Sequence, residues 1–450
     1  MSARPSHLPT AMAPKSAEPH IRRRRDLMSL AEPGSVVIVP GAHEVLRNGD
    51  SHFAFRQDSD FLYLTGFAEP DAVLVLVPGR EAGEQLLFCR ESDPDRERWD
   101  GPRLGLDAAR EQLAVDDCFP IDDLDEILPG LMEGRERIYH AVGRNPAFDR
   151  QVIEWRNELR NQKRNVRAPE EFIGLDHLLH ELRLIKSPDE LRSMRRAARI
   201  SADAHARAMQ ACRPGMSESD LTAELLHEFT RNGCPPSYLP IVAGGANALI
   251  LHYVNNDQPL PDDGLVLIDA GCEVDGYAAD ISRTFPVSGR FTPAQRAIHD
   301  LVRAAQLHAI DQVRPGRAFD DIHDAACRVL TEGLIDLGLL SGSLDENLER
   351  QNYRRFYMHK TGHWIGLDVH DVGDYRIDGQ SRQLEKNMVT TVEPALYIGF
   401  EDDIAEEFRG IGIRIEDDIR VTDGDPENLS ESVAADADSI EEWMAEGASR

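Results

Sequence analysis

GLVLIDAGCEVDGYAADISRTFPV, residues 264–287, is the stretch that decides the architecture of this chain. It reads as two strands folded about Asp275-Gly276, a dipeptide that signals a two-residue hairpin turn. With Val274 paired to Tyr277, Gly271 falls opposite Asp280 and Asp269 opposite Ser282. Side chains alternate along a strand, so Asp269 shares the face of Gly271 and stands diagonal to Asp280. Diagonal neighbours on one face lie roughly 7–8 Å apart, and closer when side chains lean together. Two carboxylates so placed on half-buried strands repel each other unless something positive lies between them. A bulge near Gly271-Cys272 would break this register.

Working outward, more acids occur inside apolar strand-like sequence. In GIGIRIEDDI (410–419), Ile411, Ile413 and Ile415 alternate with Gly412, Arg414 and Glu416, which places Arg414 and Glu416 on the opposite face. Glu393 sits in VTTVEPALYI, where Pro394 limits ladder pairing. An acid in such surroundings is costly unless it is paired or metal-bound. An ordinary salt bridge explains any one of these residues as well; it does not explain four. Histidines gather in the same half: His252 in ALILHYVNN, and His359, His363 and His370 in MHKTGHWIGLDVHDVG. His359 and His363 have i,i+4 spacing, but Gly362 and Gly366 argue against a regular helix, and no Glu follows the first His as in H-E-x-x-H.

The hairpin belongs to a repeated pattern. Ser187-Pro188-Asp189-Glu190 predicts a capped helix start, Pro214-Gly215 its stop, and Ser217 a second helix ending at Asn232-Gly233. Thr292-Pro293-Ala294-Gln295 repeats the start, Arg314-Pro315-Gly316 the stop, and another helix runs to about Gly338. Each helix pair leads into strands, so two α-α-β-β units imply an internal duplication whose strands meet in the middle. Before them, VVIVP (36–40), DAVLVLVPG (71–79) and QLLFC (85–89) read as buried strands, with helical stretches at 107–114 and 147–162. The polar run 160–171 resembles the approach to a linker. The expected organisation is a leader over 1–21, an N-terminal α/β domain over 22–175, and an α+β catalytic domain over 176–450 ending in an acidic tail.

Composition narrows the function classes. The 450 residues carry a formal net charge of −30, and the last fifty hold 17 acids against 4 bases. Nucleic acid and anionic membrane are therefore poor partners. No run approaches the roughly 18 apolar residues of a membrane span, and residues 1–20 lack the apolar stretch of a secretory signal. Arg22 to Arg25 read as a solvated face at the start of the first helix, not a mitochondrial address. A cytoplasmic protein with a disordered leader is expected. The six dispersed cysteines, with no C-x-x-C, are expected to stay reduced and pack as small apolar groups.

Taken together, DAGCEVDGYAADISRTF, MHKTGHWIGLDVHDVG, TVEPALYI and GIGIRIEDDI resemble the signatures of the pita-bread metallopeptidases, in particular the aminopeptidase P group. FRQDSDFLYLTGF (55–67) extends the resemblance into the N-terminal domain, so that it runs from Arg22 to about Trp443. The resemblance implies five metal ligands, Asp269, Asp280, His363, Glu393 and Glu416. It also implies outer histidines facing the substrate (His252, His359, His370), an orienting Arg414, and Tyr397 near the site. Proline in the second position of the substrate, a free substrate amine and a homodimer or homotetramer are implied as well; Trp99 would then help close a neighbouring site. Departures are LEKNMV for the usual L-E-P-G-M, TVEPAL for TVEPGL, and KTG where G-L-S is common. None touches a ligand, but Lys360 stands beside the site.

Four carboxylates and one imidazole form a hard, oxygen-rich set suited to two divalent ions, with Mn²⁺ the first expectation. In two-metal hydrolases the ions sit about 3.5–4 Å apart and generate hydroxide at neutral pH. The expected reaction is attack of a metal-bridging hydroxide on the peptide carbonyl. Glu393 would shuttle the proton, His252 and His370 would bind substrate or stabilise the oxyanion, and Arg414 would hold the Asp269 carboxylate. The nearest rival is a prolidase cleaving only Xaa-Pro dipeptides. A methionine aminopeptidase leaves the large N-terminal domain unexplained. An inactive pita-bread binding module and a creatinase-like, metal-free hydrolase are disfavoured because no ligand is missing, and an acidic cation buffer would carry its acids in loops.

Overall fold

The computed structural model describes residues 16–162 and 167–448, and the chain divides into two compact units at Leu182/Arg183. The first contains a six-stranded sheet made of β1 (Ser35–Pro40), β2 (Val73–Leu76), β3 (Gln85–Cys89), β4 (Asp117–Pro120), β5 (Arg137–His140) and β6 (Glu171–Gly174). Their spatial order is β4-β3-β2-β1-β5-β6, with β2 antiparallel to both its neighbours and the other pairs parallel. Val36, Ile38, Leu86, Phe88 and Ile138 share a core with Val152, Trp155 and Leu159 of the helix Pro146–Gln162. The run 160–171 ends as the chain returns to the first sheet in β6, ahead of the division between the units.

Residues 1–15 of the expected leader lie outside the described residues, and residues 18–21 form the first turn of α1 (Glu18–Leu30). The expectation of a solvated arginine face there is also corrected, since Arg23 is 5% and Arg24 0% exposed. Arg24 donates to the carbonyls of Leu64, Leu113 and Ala114, and Arg23 to that of Tyr63. Those carbonyls belong to the C-terminal ends of the helices Ser59–Thr65 and Leu106–Leu113. Helix ends leave carbonyls without intrahelical partners, and a guanidinium supplies both donors and the complementary charge.

The second unit carries the duplication. Its first helix pair is α2 (Pro188–Ala211) and α3 (Glu218–Arg231), its second α4 (Pro293–Ile310) and α5 (Phe319–Asp336). Ser187, Ser217 and Thr292 each close a capping box on the following helix. After the first pair come β7 (Ile241–Gly244), β8 (Leu265–Asp269) and β9 (Ser282–Pro286); after the second come β10 (Val389–Val392), β11 (Ala395–Tyr397), β12 (Gly412–Arg414) and β13 (Asp417–Arg420). Ile298, Val302, Leu330 and Leu334 of the second helix pair pack with Leu396, Ile413 and Ile415. The halves join where β9 meets β12. Arg414 N donates to Thr284 Oγ1 (3.2 Å), and Glu416 N to Ser282 O (3.0 Å).

The hairpin has the expected register. Val274 pairs with Tyr277 and Asp269 with Ser282, the same offset on both sides of residues 270–272, so no bulge intervenes. Asp275 (φ 58°) and Gly276 (φ 84°) both occupy the left-handed region that such a turn needs. Gly271 is obligatory for another reason: a Cβ there would lie 1.8 Å from Ala279 O. In the second half the alternating sequences are not continuous strands. The ladder breaks at Glu393-Pro394, between β10 and β11, because proline brings no N–H. It breaks again at Ile415-Glu416, between β12 and β13.

The acidic C-terminal stretch is not a loose tail. It forms α6 (Ala437–Ala448), whose Ile440 and Met444 are buried and whose Gly447 lies against the backbone of Gln210 in α2. Among the described residues no helix is long and apolar enough to cross a membrane. All six cysteines are free.

Candidate active site

The interruptions in the ladders are where the acids collect. Asp269 ends β8, Asp280 precedes β9, Glu393 occupies the first break and Glu416 the second. These four, with His363, line one cavity of about 240 Å³. His252, His359, His370, Tyr397 and Arg414 line the same cavity, whereas Trp99 lies in the first unit and is not among its lining residues. Donor atoms of Asp280, His363 and Glu416 all fall within 4.8 Å of one another.

Each side chain is fixed from outside the cluster. His363 Nδ1 lies 3.0 Å from Trp364 O, leaving Nε2 to face Asp280 Oδ2 (3.5 Å) and Glu393 Oε1 (3.7 Å). A carbonyl on one ring nitrogen is how a protein turns the other toward a metal. The backbone beneath His363 is close-packed, since a Cβ on Gly362 would lie 2.1 Å from Thr391 O. Arg414 Nη2 donates to Asp269 Oδ2 (2.6 Å), its Nε to Ser282 Oγ (2.9 Å), and its Nη1 to Tyr397 OH (2.9 Å). Ser282 Oγ donates to Glu416 Oε2 (2.7 Å). His359 Nε2 meets Tyr397 OH at 3.1 Å, and its Nδ1 meets Lys360 O at 2.7 Å. The loop carrying His370 is tied down by its neighbour Asp371, whose buried carboxylate receives Arg183 (2.5 Å) and Lys186 (2.9 Å).

Electrostatics record the crowding. Burial first, and the charge of Asp280 next, push Asp269 up to about 6. Burial raises Glu393 to about 7, and burial plus the charges of Asp280, Glu393 and Asp269 push Glu416 well up. Burial also works against Asp280, but the hydrogen bond and charge of His363 outweigh it and hold this carboxyl below its ordinary value. His359 is lowered to about 4 by burial, so it is a neutral imidazole. Such a set of buried oxygen donors, short of cations of its own, fits divalent metal ions.

Two residues of the cluster escaped the sequence reading. Tyr238 OH lies 2.5 Å from both Asp269 Oδ1 and Asp280 Oδ1, bridging the diagonal pair. Asp418 is buried behind them and accepts from Asp280 N (3.2 Å). Tyr238 comes from a Pro-rich loop without periodicity, and its position gives no sequence signal. Asp418 was visible only as one more acid in EDD. A second cluster, Asp60, Asp176 and His180 in the first unit, already contains its counter-cation: Arg144 lies 2.5 Å from Asp60 and 3.4 Å from Asp176.

Comparison with known proteins agrees with this geometry. Residues 192–423 match the model of metallopeptidase family M24, and residues 20–139 match that of the aminopeptidase P N-terminal domain. The chain is 46% identical to the Xaa-Pro aminopeptidase of Escherichia coli over 94% of its own length and 96% of the relative's. The solved Pseudomonas aeruginosa aminopeptidase PepP superposes with a TM-score of 0.96 at 51% identity, covering 98% of this chain and 100% of that one. E. coli aminopeptidase P with the inhibitor Pro-Leu superposes at 0.94 and 44% identity, covering 97% of this chain and all of that one. A zinc-substituted form of that enzyme, in complex with product, gives the same score at 45% identity, covering 97% of this chain and 99% of that one. Identity of this level over nearly the whole length of Xaa-Pro aminopeptidases, with the aminopeptidase P N-terminal domain beside the catalytic unit, supports aminopeptidase P over the prolidase alternative: this chain belongs to metallopeptidase family M24, among its Xaa-Pro aminopeptidases.

Proposed function

We propose that the cavity holds two divalent ions, with Mn²⁺ the best match to its hard donors, and that Asp269, Asp280, His363, Glu393 and Glu416 bind them. What supports the assignment is one observation: four carboxylates and an imidazole converge on a single cavity with Asp280, His363 and Glu416 donors within 4.8 Å. Four carboxylates match the charge of two divalent ions. Such ions, when bound, supply Lewis-acid polarisation of the scissile carbonyl and ionisation of a water near neutral pH.

The remaining roles belong to the chain. Arg414 holds the Asp269 carboxylate at a fixed angle through its 2.6 Å contact. Glu393 carries the proton from the attacking water to the leaving proline nitrogen, and its carboxylate reaches into the cavity 3.8 Å from His359 Nδ1. His252 and His370 offer N–H groups to the carbonyl oxygen as charge develops on it. His359 and Tyr397, linked at 3.1 Å, form the wall against which the substrate's proline rests. The substrate is a peptide with proline in its second position, and the bond broken is the one before that proline. Tyr238 keeps Asp269 and Asp280 from parting.

The test is hydrolysis of an Xaa-Pro-Yaa tripeptide by protein stripped with chelator and then reloaded with Mn²⁺. Release of the first residue only after reloading, at a stoichiometry near two ions per chain, supports the reading. Full activity in the stripped protein, or with one ion per chain, sinks the two-ion assignment.

The protein is further proposed to be cytoplasmic and to work as a homodimer or homotetramer. Trp99 is 87% exposed and so open to contact with a neighbouring copy. Trp99 would help close the site of a neighbouring copy. Sedimentation of wild type is expected to show a dimer or tetramer; a monomer at micromolar concentration would remove this part of the proposal.

A further inference from the structure

We propose that Lys360 binds a carboxylate on the residue that follows the substrate's proline, and so gives this enzyme a preference for short or acidic leaving peptides. The inference rests on the aminopeptidase reading above and adds the group that recognises the leaving side. Lys360 is the first residue of the KTG departure, and it lines the catalytic cavity.

Charge accounting singles it out. Four carboxylates face that cavity, and besides its outer histidines the basic side chains lining it are His363, Arg414 and Lys360. Arg414 is only 4% exposed, and its guanidinium is committed to Asp269, Ser282 and Tyr397. His363 is turned toward the acids. Lys360 differs from both. Its side chain is 70% exposed, and its closest acidic partner, Asp320, stands 4.0 Å away while already bonded to Arg376 at 2.9 Å. Among the described residues lining the cavity it is the one permanent cation with an exposed head. On a chain of net charge −30, an exposed lysine head is a local point of attraction for an anionic substrate.

Position says which end of the substrate it meets. Lys360 and His359 also line a second cavity of about 260 Å³, together with Asp324, Arg354 and Tyr357. An aminopeptidase keeps a single residue on the amino side of the broken bond. With the substrate's proline against His359 and Tyr397, as proposed above, the chain that continues past His359 to Lys360 is leaving peptide. The backbone of the wall is firm: Lys360 O faces His359 Nδ1 at 2.7 Å, and Thr361, 1% exposed, bonds Tyr357 OH at 2.7 Å. A flexible four-carbon stem on a fixed backbone suits a point-charge contact with a carboxylate.

That carboxylate has two sources, the chain terminus of a tripeptide or an acidic side chain. Metal-loaded wild type, Lys360→Met and Lys360→Arg are compared on three substrates: Xaa-Pro-Ala, its C-terminal amide, and the amide of Xaa-Pro-Asp. Wild type is expected to show a KM about fivefold lower for a carboxylate-bearing peptide than for the Ala amide, with kcat little changed. The preference should shrink at high salt, vanish in Lys360→Met and persist in Lys360→Arg. Preference for the free acid alone assigns the contact to the terminus; preference for the Asp amide alone assigns it to the side chain. Equal KM values in wild type, or a preference that survives in Lys360→Met, overturn the proposal. Because the ratio is taken within one protein, a general loss of activity does not mimic the result. Product inhibition of wild type by Pro-Ala against its amide gives an independent reading, and equal inhibition also counts against Lys360. If metal-loaded wild type cleaves none of the three peptides, the aminopeptidase reading itself fails instead.

Discussion

Asp280→Asn is expected to lower kcat/KM by about a thousandfold or more, the scale on which a misassembled metal centre loses transition-state stabilisation. Asp280 is tied to the imidazole as well as to the neighbouring acids of the cavity. It faces His363 Nε2 at 3.5 Å, receives Tyr238 OH at 2.5 Å, and shares the 4.8 Å donor set with Glu416. Asparagine keeps its shape but removes one negative charge and one metal-binding oxygen. Bound metal per chain, measured after desalting, should fall along with activity. Stability should move in opposite directions in the two forms. With metal the variant should melt lower than wild type, since weaker binding stabilises the fold less. Without metal it should melt no lower, because the charge of Asp280 is part of what burdens Asp269 and Glu416. Unchanged metal content together with full activity would remove Asp280 from the ligand set.

The second large effect lies behind the cavity. Arg283→Met should destabilise the catalytic unit by about 3–5 kcal/mol, the usual cost of stranding one member of a buried ion pair. Arg283 is 1% exposed and Asp417 0%. The guanidinium donates to Asp417 Oδ1 (2.7 Å) and to the carbonyls of Ser282, Glu416 and Ala434 (2.9, 2.6 and 3.0 Å). It therefore ties β9, the break at Glu416 and the segment before α6 with one side chain. Denaturant titration of the metal-free protein isolates the effect from metal binding. Adding Asp417→Leu should recover part of the loss by removing the stranded charge, and a double-mutant cycle measures the coupling. A single-variant loss below about 1 kcal/mol would mean that water reaches the pair after all.

The sequence was most readable where one residue type meets one backbone demand. Asp275-Gly276 needs two left-handed residues, and Ser187, Ser217 and Thr292 announce helices by their own hydrogen bonds, so the hairpin register and the repeated helix pairs followed directly. Alternation proved less informative. It ran straight through Glu393 and Glu416, whereas the ladder stops at both, and nothing in a period of two marks where pairing changes partner. Arg23 and Arg24 misled for a different reason. Charge suggests solvent, but a guanidinium surrounded by helix-end carbonyls can be buried, and those carbonyls are up to 90 residues away in the chain. Tyr238 was invisible on the same ground, being 31 residues from Asp269 and 42 from Asp280. The metal-ligand assignment leaned on family signatures: four acids in apolar strand-like sequence pointed past ordinary salt bridges, but nothing in their spacing or in the gathered histidines named the ligands.

The joint between the halves has a consequence for how the protein is made. Ser282 and Glu416, in contact through a 2.7 Å hydrogen bond, are 134 residues apart in the chain. At a synthesis rate of about 5–20 residues per second, the ribosome delivers Asp269 and Asp280 several seconds before Glu416 exists. For most of that interval the first half has two of the carboxylates and neither Glu393 nor Arg414, and Glu416 closes the set last. The centre proposed above therefore cannot be complete until the second half has been made, however early the first half folds.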